Sequence, residues 1–239
     1  MLNTQYRMAP PIGNLISKVF YDNNLETGRD VSEPWLSALK QPWNKTVSWI
    51  NTTQNISSED KSRRDTKGKS NELEADITIK LIDDLFNQNI IDNLIAWYEG
   101  DAKVPPIGII TGYRNQKVLI ELGLQKKPWF NSYKHLIRID TIDAYQGQES
   151  RLLILNLVRS NDKNKIGFLN SESRINVALS RAKERLIIVG DISTWAHEAN
   201  QGTPVFRCLN EIQARLLDKD SDFQILHFKN IHETTEEVA

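Results

Sequence analysis

The sequence predicts an α/β fold, with a mostly parallel β-sheet and helices on both faces. Four short, nearly unbroken apolar runs are typical of strands covered on both sides; they occupy 107–111, 137–142, 152–158 and 186–189. Helix-like stretches follow three of these runs, at 113–122, 171–183 and 205–217. Strands that alternate with helices in this way indicate a doubly wound domain.

Two further helices are predicted ahead of the first of these strands. The stretch 11–20 begins with Pro11, and proline is tolerated in a first helical turn. The stretch 71–86 carries an apolar stripe at i, i+4 spacing, which is typical of a helix packed on one side. We interpret Asn71, with Glu74 three positions on, as the cap that begins this helix.

The chain has 239 residues, enough for one large domain. We expect a single domain over 1–231, interrupted at 52–69 by a long polar stretch that predicts a flexible surface loop. The tail 232–239 is short and acidic, so we expect it to fray.

Charge and composition exclude several classes of protein. Thirty Lys and Arg against 31 Asp and Glu give a net charge of -1, so any site for a polyanion must be local. Cys208 is the only cysteine, which excludes an internal disulfide and a cysteine-based zinc site. Four scattered histidines give no sign of a metal centre. Without a long apolar run or a secretory signal, the expected location is the cytoplasm.

Polar residues follow the predicted strands where a parallel sheet usually binds its ligands. Thr111 and Thr141 are two of them. Small hydroxyls beside free backbone N–H groups suit phosphate oxygens. Position alone favours the other interpretation, in which both threonines cap a helix or turn.

Two arginines stand seven residues apart in the predicted helix 171–183. Two helical turns would put Arg174 and Arg181 on one face, where a phosphate could be met by fixed, permanently charged forks. The segment 68–70 looks like the end of a P-loop, but Arg63 stands where that motif requires glycine. An Asp-Glu magnesium site at a strand end is also missing.

Four segments follow one another in the chain: 2–8, 107–116, 141–149 continuing to 158–161, and 167–169 with 174–183, ending at 189–191. In this order they resemble the motor motifs of superfamily 1 helicases, in the group that includes RNA-surveillance and Okazaki-fragment-processing helicases. The resemblance covers only the family's second motor domain, so it implies a RecA-like P-loop NTPase fold without the P-loop itself.

The resemblance also implies roles for individual residues. Arg7 and Arg181 would be the catalytic arginine fingers on the γ-phosphate of ATP. The expected ATP-binding residues are Gln5, Tyr6, Gly147 and Glu149, with Tyr6 stacked on the adenine. The expected nucleic-acid contacts are Thr111, Thr141, Arg159 and Asn176. The cofactor is ATP with Mg²⁺, and the magnesium would be held mainly by the missing first domain.

The implied partners are single-stranded DNA or RNA and an N-terminal RecA-like domain in the same or another chain. By resemblance, the isolated chain is an incomplete ATPase from DNA repair or RNA processing. The alternative is an inactive nucleic-acid-binding or regulatory module that kept the fold. Gly112 stands where the family usually has proline, which is expected to loosen the turn before Tyr113.

Overall fold

A computed structural model describes residues 3–29, 33–53, 61–62 and 68–228 of the protein. Its strands, in chain order, are β1 (Thr4–Gln5), β2 (Glu26–Thr27), β3 (Val47–Asn51), β4 (Lys61–Ser62), β5 (Lys69–Ser70), β6 (Ile107–Thr111), β7 (Ile137–Thr141), β8 (Ser150–Asn156), β9 (Ala182–Gly190) and β10 (Phe223–His227). Its α-helices are α1 (Pro10–Phe20), α2 (Glu72–Phe86), α3 (Ile91–Gly100), α4 (Arg114–Leu124), α5 (Phe130–Tyr133), α6 (Glu172–Leu179), α7 (Ile192–Trp195) and α8 (Pro204–Leu217).

The central sheet has six strands within the described residues, in the order β10-β3-β9-β8-β6-β7, and every neighbouring pair is parallel. Side chains alternate between its two faces, as the pleat requires. In β8, Leu153 and Leu155 join a core under α1, α6 and α8, while Leu152 and Ile154 join a second core under α2, α3 and α4. The predicted fold class is confirmed.

Most of the predicted elements are confirmed, with small shifts at their ends. For the predicted capping pair of α2, the Asn71 half is confirmed, because Asn71 Oδ1 accepts from the Glu74 backbone N–H at 3.2 Å. The reciprocal half is wrong, because the Glu74 side chain does not accept from the Asn71 backbone N–H. Its Oε2 accepts from the Val158 N–H at 2.8 Å, which ties the start of α2 to the end of β8.

The predicted helix 171–183 is wrong at its C-terminal end. Helix α6 stops at Leu179, and β9 begins at Ala182, well before the predicted strand start at 186. The cause is pairing: Ala182 and Arg185 are in register with Ser150 and Leu152 of β8, so sheet hydrogen bonds take the place of a further helical turn. Arg181 therefore lies in a turn and does not share a helix face with Arg174.

Two strands of the central sheet, β3 and β10, were not predicted. Both contain polar residues among the apolar ones, such as Ser48 and Gln224, which are buried and bonded to each other at 2.8 Å. Most of the predicted loop 52–69 and all of the tail 232–239 lie outside the described residues. In the described part, Lys61–Ser62 pairs antiparallel with Lys69–Ser70.

Because all six strands run the same way, the sheet has an amino end, where strands begin, and a carboxyl end, where they finish. Thr111, Thr141 and Asn156 finish their strands at the carboxyl end. Glu149 and Arg181 immediately precede β8 and β9, at the amino end. Among the described residues, no helix is both long and apolar enough to cross a bilayer.

Candidate functional site

Arginine and glutamate side chains from distant parts of the chain meet at the amino end of the sheet. Arg7 Nε donates to Glu149 Oε2 at 2.8 Å, and Arg7 Nη1 donates to the Ser180 carbonyl at 3.3 Å. Lys183 Nζ donates to the other oxygen of Glu149, Oε1, at 2.9 Å. Burial opposes the charge of Glu149, but the hydrogen bonds and charges of Lys183 and Arg7 outweigh it and lower the pKa of this carboxyl.

Arg181 lies beside this pair with spare hydrogen-bonding capacity. Its backbone carbonyl accepts from the Ser150 N–H at 3.0 Å, while its side-chain Nε is buried without a hydrogen-bond partner. Burial, and then the charge of Arg7, lower the pKa of the Arg181 guanidinium, while the charge of Glu149 raises it. The structure thus brings Arg7, Arg181 and Glu149 together, although they are far apart in sequence.

A second layer of charges supports this group. Glu184 is fully buried and accepts from Arg29 Nη2 and from Arg151 Nη1, the latter at 3.2 Å. Arg151 also donates two hydrogen bonds to the Asp101 carboxylate, of 2.8 and 3.0 Å. Arg29 Nη1 donates to the carbonyls of Arg7 and Lys183, at 2.8 and 3.0 Å. These hydrogen bonds from Arg29 therefore link the backbone at Arg7 to the start of β9.

We call these residues the amino-end cluster: Arg7, Arg29, Asp101, Glu149, Arg151, Arg181, Lys183 and Glu184. It holds five basic and three acidic side chains, so it is locally positive in a chain whose net charge is -1. Sequence reasoning missed the supporting members. Their signal is the charged start of two otherwise apolar strands, at Arg151 and at 183–185.

Tyr6 stands at the rim of the amino-end cluster with 72% of its surface exposed. Its ring lies against Gly28, where an added Cβ would come within 2.4 Å of Tyr6 Cε1, so glycine permits the close approach. The neighbouring Gln5 side chain is engaged within the protein. Its Oε1 accepts from the N–H groups of Arg7 and Met8, at 2.9 and 2.7 Å. Gln5 thus shapes the turn that presents Tyr6 and Arg7.

The segment 142–148 connects the two ends of the sheet. It runs from Thr141, at the carboxyl end, to Glu149, at the amino end, with Ile142 and Tyr145 buried in the core. Tyr145 Oη and Ser150 Oγ are 2.7 Å apart and hydrogen-bonded. Gly147 lies in this segment with φ of +82°, a conformation that L side chains rarely adopt. The glycine is therefore required by backbone conformation, since nothing lies within 4 Å of an added Cβ.

The two threonines at the carboxyl end act as turn caps. Thr111 Oγ1 accepts from the Tyr113 N–H at 3.3 Å, and Thr141 Oγ1 accepts from the Ala144 N–H at 3.4 Å. They are aligned across β6 and β7. Thr111 is fully buried, so in this conformation it has no surface to offer a ligand, whereas Thr141 is half-buried.

The other two residues predicted to contact nucleic acid, Asn176 and Arg159, lie on neighbouring elements of the fold. Asn176 Nδ2, on α6, donates to the Tyr21 hydroxyl at 3.0 Å. Arg159 follows β8, and its Nη1 lies 3.1 Å from the place a Cβ on Gly167 would occupy. Arg174, predicted to share a face with Arg181, instead donates through Nε to Asp143 Oδ1 at 3.0 Å.

Asp191 organises a different part of the carboxyl end. Its carboxylate accepts five hydrogen bonds of 2.6–3.0 Å, from the hydroxyls of Thr53, Ser160, Ser193 and Thr194 and from the Ser193 N–H. Burial opposes ionisation, but these hydroxyls outweigh it and lower the pKa of Asp191. We call these five residues the Asp191 hub. It joins β3, β8 and β9 to the start of α7.

Over the described part of the chain, no group of three or more His, Cys, Asp or Glu side chains is arranged to hold a metal ion. The basic groups of the amino-end cluster are guanidinium forks and one ammonium group, and the exposed phenol ring of Tyr6 lies beside Arg7 in the chain. Groups of these kinds suit an anionic, aromatic ligand.

Comparison with known proteins gives a consistent result. Residues 1–193 match the family model described as AAA domain. Helicase sen1 of Schizosaccharomyces pombe is 32% identical over 194 residues, or 81% of this chain. The Regulator of nonsense transcripts 1 homolog of Neurospora crassa is 31% identical over 192 residues, or 80% of the chain. DNA polymerase alpha-associated DNA helicase A of S. pombe is 30% identical over 208 residues, or 82%.

These relatives are much longer than the matched region. The chain spans 11% of the first, 16% of the second and 29% of the third. The similarity therefore concerns one part of each relative, and their names refer to whole proteins that contain other regions as well.

Proposed function

The chain belongs to the AAA domain family, which it matches over residues 1–193, and from that premise we propose that it is the second motor domain of an ATP-dependent superfamily 1 helicase. One observation carries the proposal: Arg7 and Arg181 converge on Glu149 in a positively charged cluster beside an exposed tyrosine. A triphosphate needs positive, fork-shaped groups, and an adenine needs a flat partner.

In this proposal each side chain has a defined task toward ATP. Tyr6 stacks on the adenine, and its exposure leaves the ring available. Arg181, whose Nε has no hydrogen-bond partner in the protein, would contact the terminal phosphate, and Arg7 would join it by leaving Glu149. ATP supplies a phosphoryl group whose transfer to water builds charge on the phosphate oxygens. Fixed guanidinium groups stabilise that charge, which is the main service a protein performs in this reaction.

In this proposal the chain supplies only half of the ATP-binding site. The sequence has no P-loop, and residues 68–70 fail that motif because Arg63 replaces its first glycine. We propose that an N-terminal RecA-like domain supplies the P-loop and most of the magnesium ligands, and that the two domains close on ATP. Arg7 and Arg181 then act as fingers from across the cleft.

The strand of nucleic acid would lie at the other end of the sheet. We propose that Thr141, Arg159 and Asn176 contact its phosphates, and that Thr111 holds the turn beneath them. The segment 142–148 would couple ATP hydrolysis to nucleic-acid binding, because Thr141 precedes it at one end of the sheet and Glu149 follows it at the other. We propose single-stranded DNA or RNA as the substrate, since the relative named for nonsense transcripts and the relative named as a DNA helicase are 31% and 30% identical to this chain.

Nucleotide binding to this chain tests the proposal directly. A fluorescent ATP analogue should bind weakly, and Tyr6→Ala or Arg181→Ala should weaken it further. Tyr21→Ala is the matched control, because Tyr21 is also an exposed tyrosine but lies beside α6. With saturating single-stranded DNA, the chain alone should hydrolyse no ATP. Robust turnover that Arg181→Ala abolishes would contradict the half-site. Binding of strands without any binding of nucleotide would favour the regulatory module.

A further inference from the structure

An aromatic ring and a guanidinium group lie together on the surface near the carboxyl end. Phe168 belongs to the short 3-10 turn Gly167–Asn170 and keeps 37% of its surface exposed. Its ring packs against Tyr113, with centroids 4.8 Å apart and planes inclined by 56°. Gly112 allows this approach, since an added Cβ would lie 3.0 Å from Phe168 Cζ. The ring is therefore held in place while part of it stays open to solvent.

Arg174 is held over the same ring. Its guanidinium carbon is 5.2 Å from the Phe168 centroid, within the usual range for a cation–π contact. Asp143 Oδ1 accepts from its Nε at 3.0 Å, so an acid and a ring together fix the plane of the guanidinium. The Arg174 side chain nevertheless keeps 41% of its surface exposed.

Residues proposed to contact nucleic-acid phosphates lie on both sides of this pair. Asp143 is two residues after Thr141, and Gly167, next to Phe168, lies beside the Arg159 guanidinium. Two of the proposed phosphate contacts thus flank the ring. Bases of single strands stack on aromatic rings and on guanidinium planes, whereas a duplex keeps its base faces covered.

We propose that Phe168 and Arg174 form a stacking ledge for one unpaired base of a single-stranded nucleic acid. The inference rests on the proposed function, because it adds base contacts to the phosphate contacts already assigned to this surface. Stacking uses the flat face of the base, so the ledge accepts any base and adds affinity without reading sequence. Because Arg174 lies over the Phe168 ring, the base stacks on the guanidinium plane, and the ring supports that plane from the other side.

Binding to two strands separates this role from simple packing. Fluorescence anisotropy at about 0.1 M salt, where charges more than about 10 Å apart are largely screened, would measure the affinity of this chain for labelled oligothymidylate and for an abasic strand of equal length. The abasic strand has phosphates but no bases. Phe168→Leu should weaken oligothymidylate binding by about fivefold or more, which is the lower bound for stacking of one base. The abasic strand should bind equally well to both proteins, and Phe168→Tyr should restore most of the loss.

A matched arginine serves as the control. Arg215 also lies over a ring, Phe223 at 5.9 Å, and also pairs with an acid, Glu211 at 2.8 Å, but it is on α8. Arg215→Gln removes the same charge as Arg174→Gln and should leave both affinities within about twofold of wild type, since a remote charge is screened by salt. Arg174→Gln should weaken oligothymidylate binding more than abasic binding, and it provides the comparison if Phe168→Leu does not fold.

Each other outcome overturns a specific statement. Unchanged oligothymidylate binding by Phe168→Leu would overturn the ledge, but it would not contradict the proposed phosphate contacts with nucleic acid. An equal loss on both strands would mean that the ring acts only through the fold, which also overturns the ledge. If the wild-type protein binds neither oligonucleotide, the proposed nucleic-acid binding itself is wrong. Circular dichroism on every variant separates these results from unfolding.

Discussion

The amino-end cluster and the Asp191 hub are both rich in polar side chains, but they differ in how far those side chains satisfy one another. In the hub, a nearly buried carboxylate accepts five hydrogen bonds from its own neighbours. In the cluster, Arg181 Nε has no partner, basic groups outnumber acids, and Tyr6 extends into solvent. A saturated network stabilises the fold, whereas an incompletely satisfied one marks a candidate binding site.

The two candidate sites lie at opposite ends of the sheet. Ligands of parallel sheets usually bind beyond the carboxyl ends of the strands, and there the Thr111 and Thr141 hydroxyls accept turn hydrogen bonds in this structure. The candidate ATP-binding residues gather at the amino end instead. Under the proposed function another domain would hold most of the nucleotide, so this chain would need only to present side chains to it.

The largest expected effect is on hydrolysis and belongs to the amino-end cluster. In a two-domain protein that joins a P-loop domain to this chain, Arg181→Ala should lower kcat by about 10³ to 10⁵, the range for loss of an arginine finger. The physical reason is the loss of charge stabilisation in the transition state, equivalent to about 4 to 7 kcal/mol of barrier. Steady-state ATPase assays with single-stranded DNA would measure it.

Two controls sharpen that experiment. Arg181→Lys should recover only a small part of the rate, since an ammonium is a point charge and cannot replace a planar fork. Both variants should unfold at nearly the same urea concentration as wild type, because neither change removes a hydrogen bond from Arg181 Nε, which has no partner in the protein. A kcat within tenfold of wild type in Arg181→Ala would show that Arg181 does not stabilise charge on the transferred phosphate.

The next effect is on stability and belongs to the Asp191 hub. Asp191→Ala should lower the free energy of unfolding by about 2 to 4 kcal/mol, because it removes five accepted hydrogen bonds and leaves buried hydroxyls without partners. Urea denaturation followed by circular dichroism would measure the change. Nucleotide binding by the folded variant should stay unchanged. A loss below about 0.5 kcal/mol would mean that this network does not hold the strand ends together.

The smallest effect concerns pH and again the amino-end cluster. The pKa of Glu149 lies below its ordinary 4.5, because Lys183 and Arg7 favour the charged form more than burial opposes it. A carboxyl whose pKa is lowered by folding adds stability above its unfolded pKa, and that stability is lost as the pH falls through the folded value. Glu149→Gln should therefore cost stability at pH 7, by less than about 1 kcal/mol since the pair is one-third exposed.

The pH profile provides the check on that variant. The difference in unfolding free energy between wild type and Glu149→Gln should shrink as the pH falls below 4.5, because the wild-type carboxyl becomes neutral there as well. Urea midpoints at pH 7 and in mild acid would show this. A difference that widens on acidification would mean that Glu149 is not ionised in the folded protein.

Helices and buried strands with strong local signals were predictable. The apolar stripe and cap of α2 specify its start within the chain itself, and Asn71 takes the predicted role. The end of α6 was not predictable in the same way. Nothing local stops the helix before Ala182, and pairing with β8 decides where the strand begins. Strand β3 was missed because Ser48 and Asn51 interrupt its apolar pattern. Their side chains bond to nearby residues, Pro42 and Thr53, but also to remote ones, Gln224 and Ile192, which local pattern cannot indicate.

By itself the sequence determined the fold class, most of the elements and, through its motifs, the residues that deserved attention. Local pattern is enough for these, because periodicity and motif spacing are properties of neighbouring residues. The meeting of Arg7, Glu149 and Arg181, and their support by Arg29 and Lys183, came from the folded structure. These contacts join residues far apart in the chain, and strand order in the sheet, which no local signal encodes, sets which of them become neighbours.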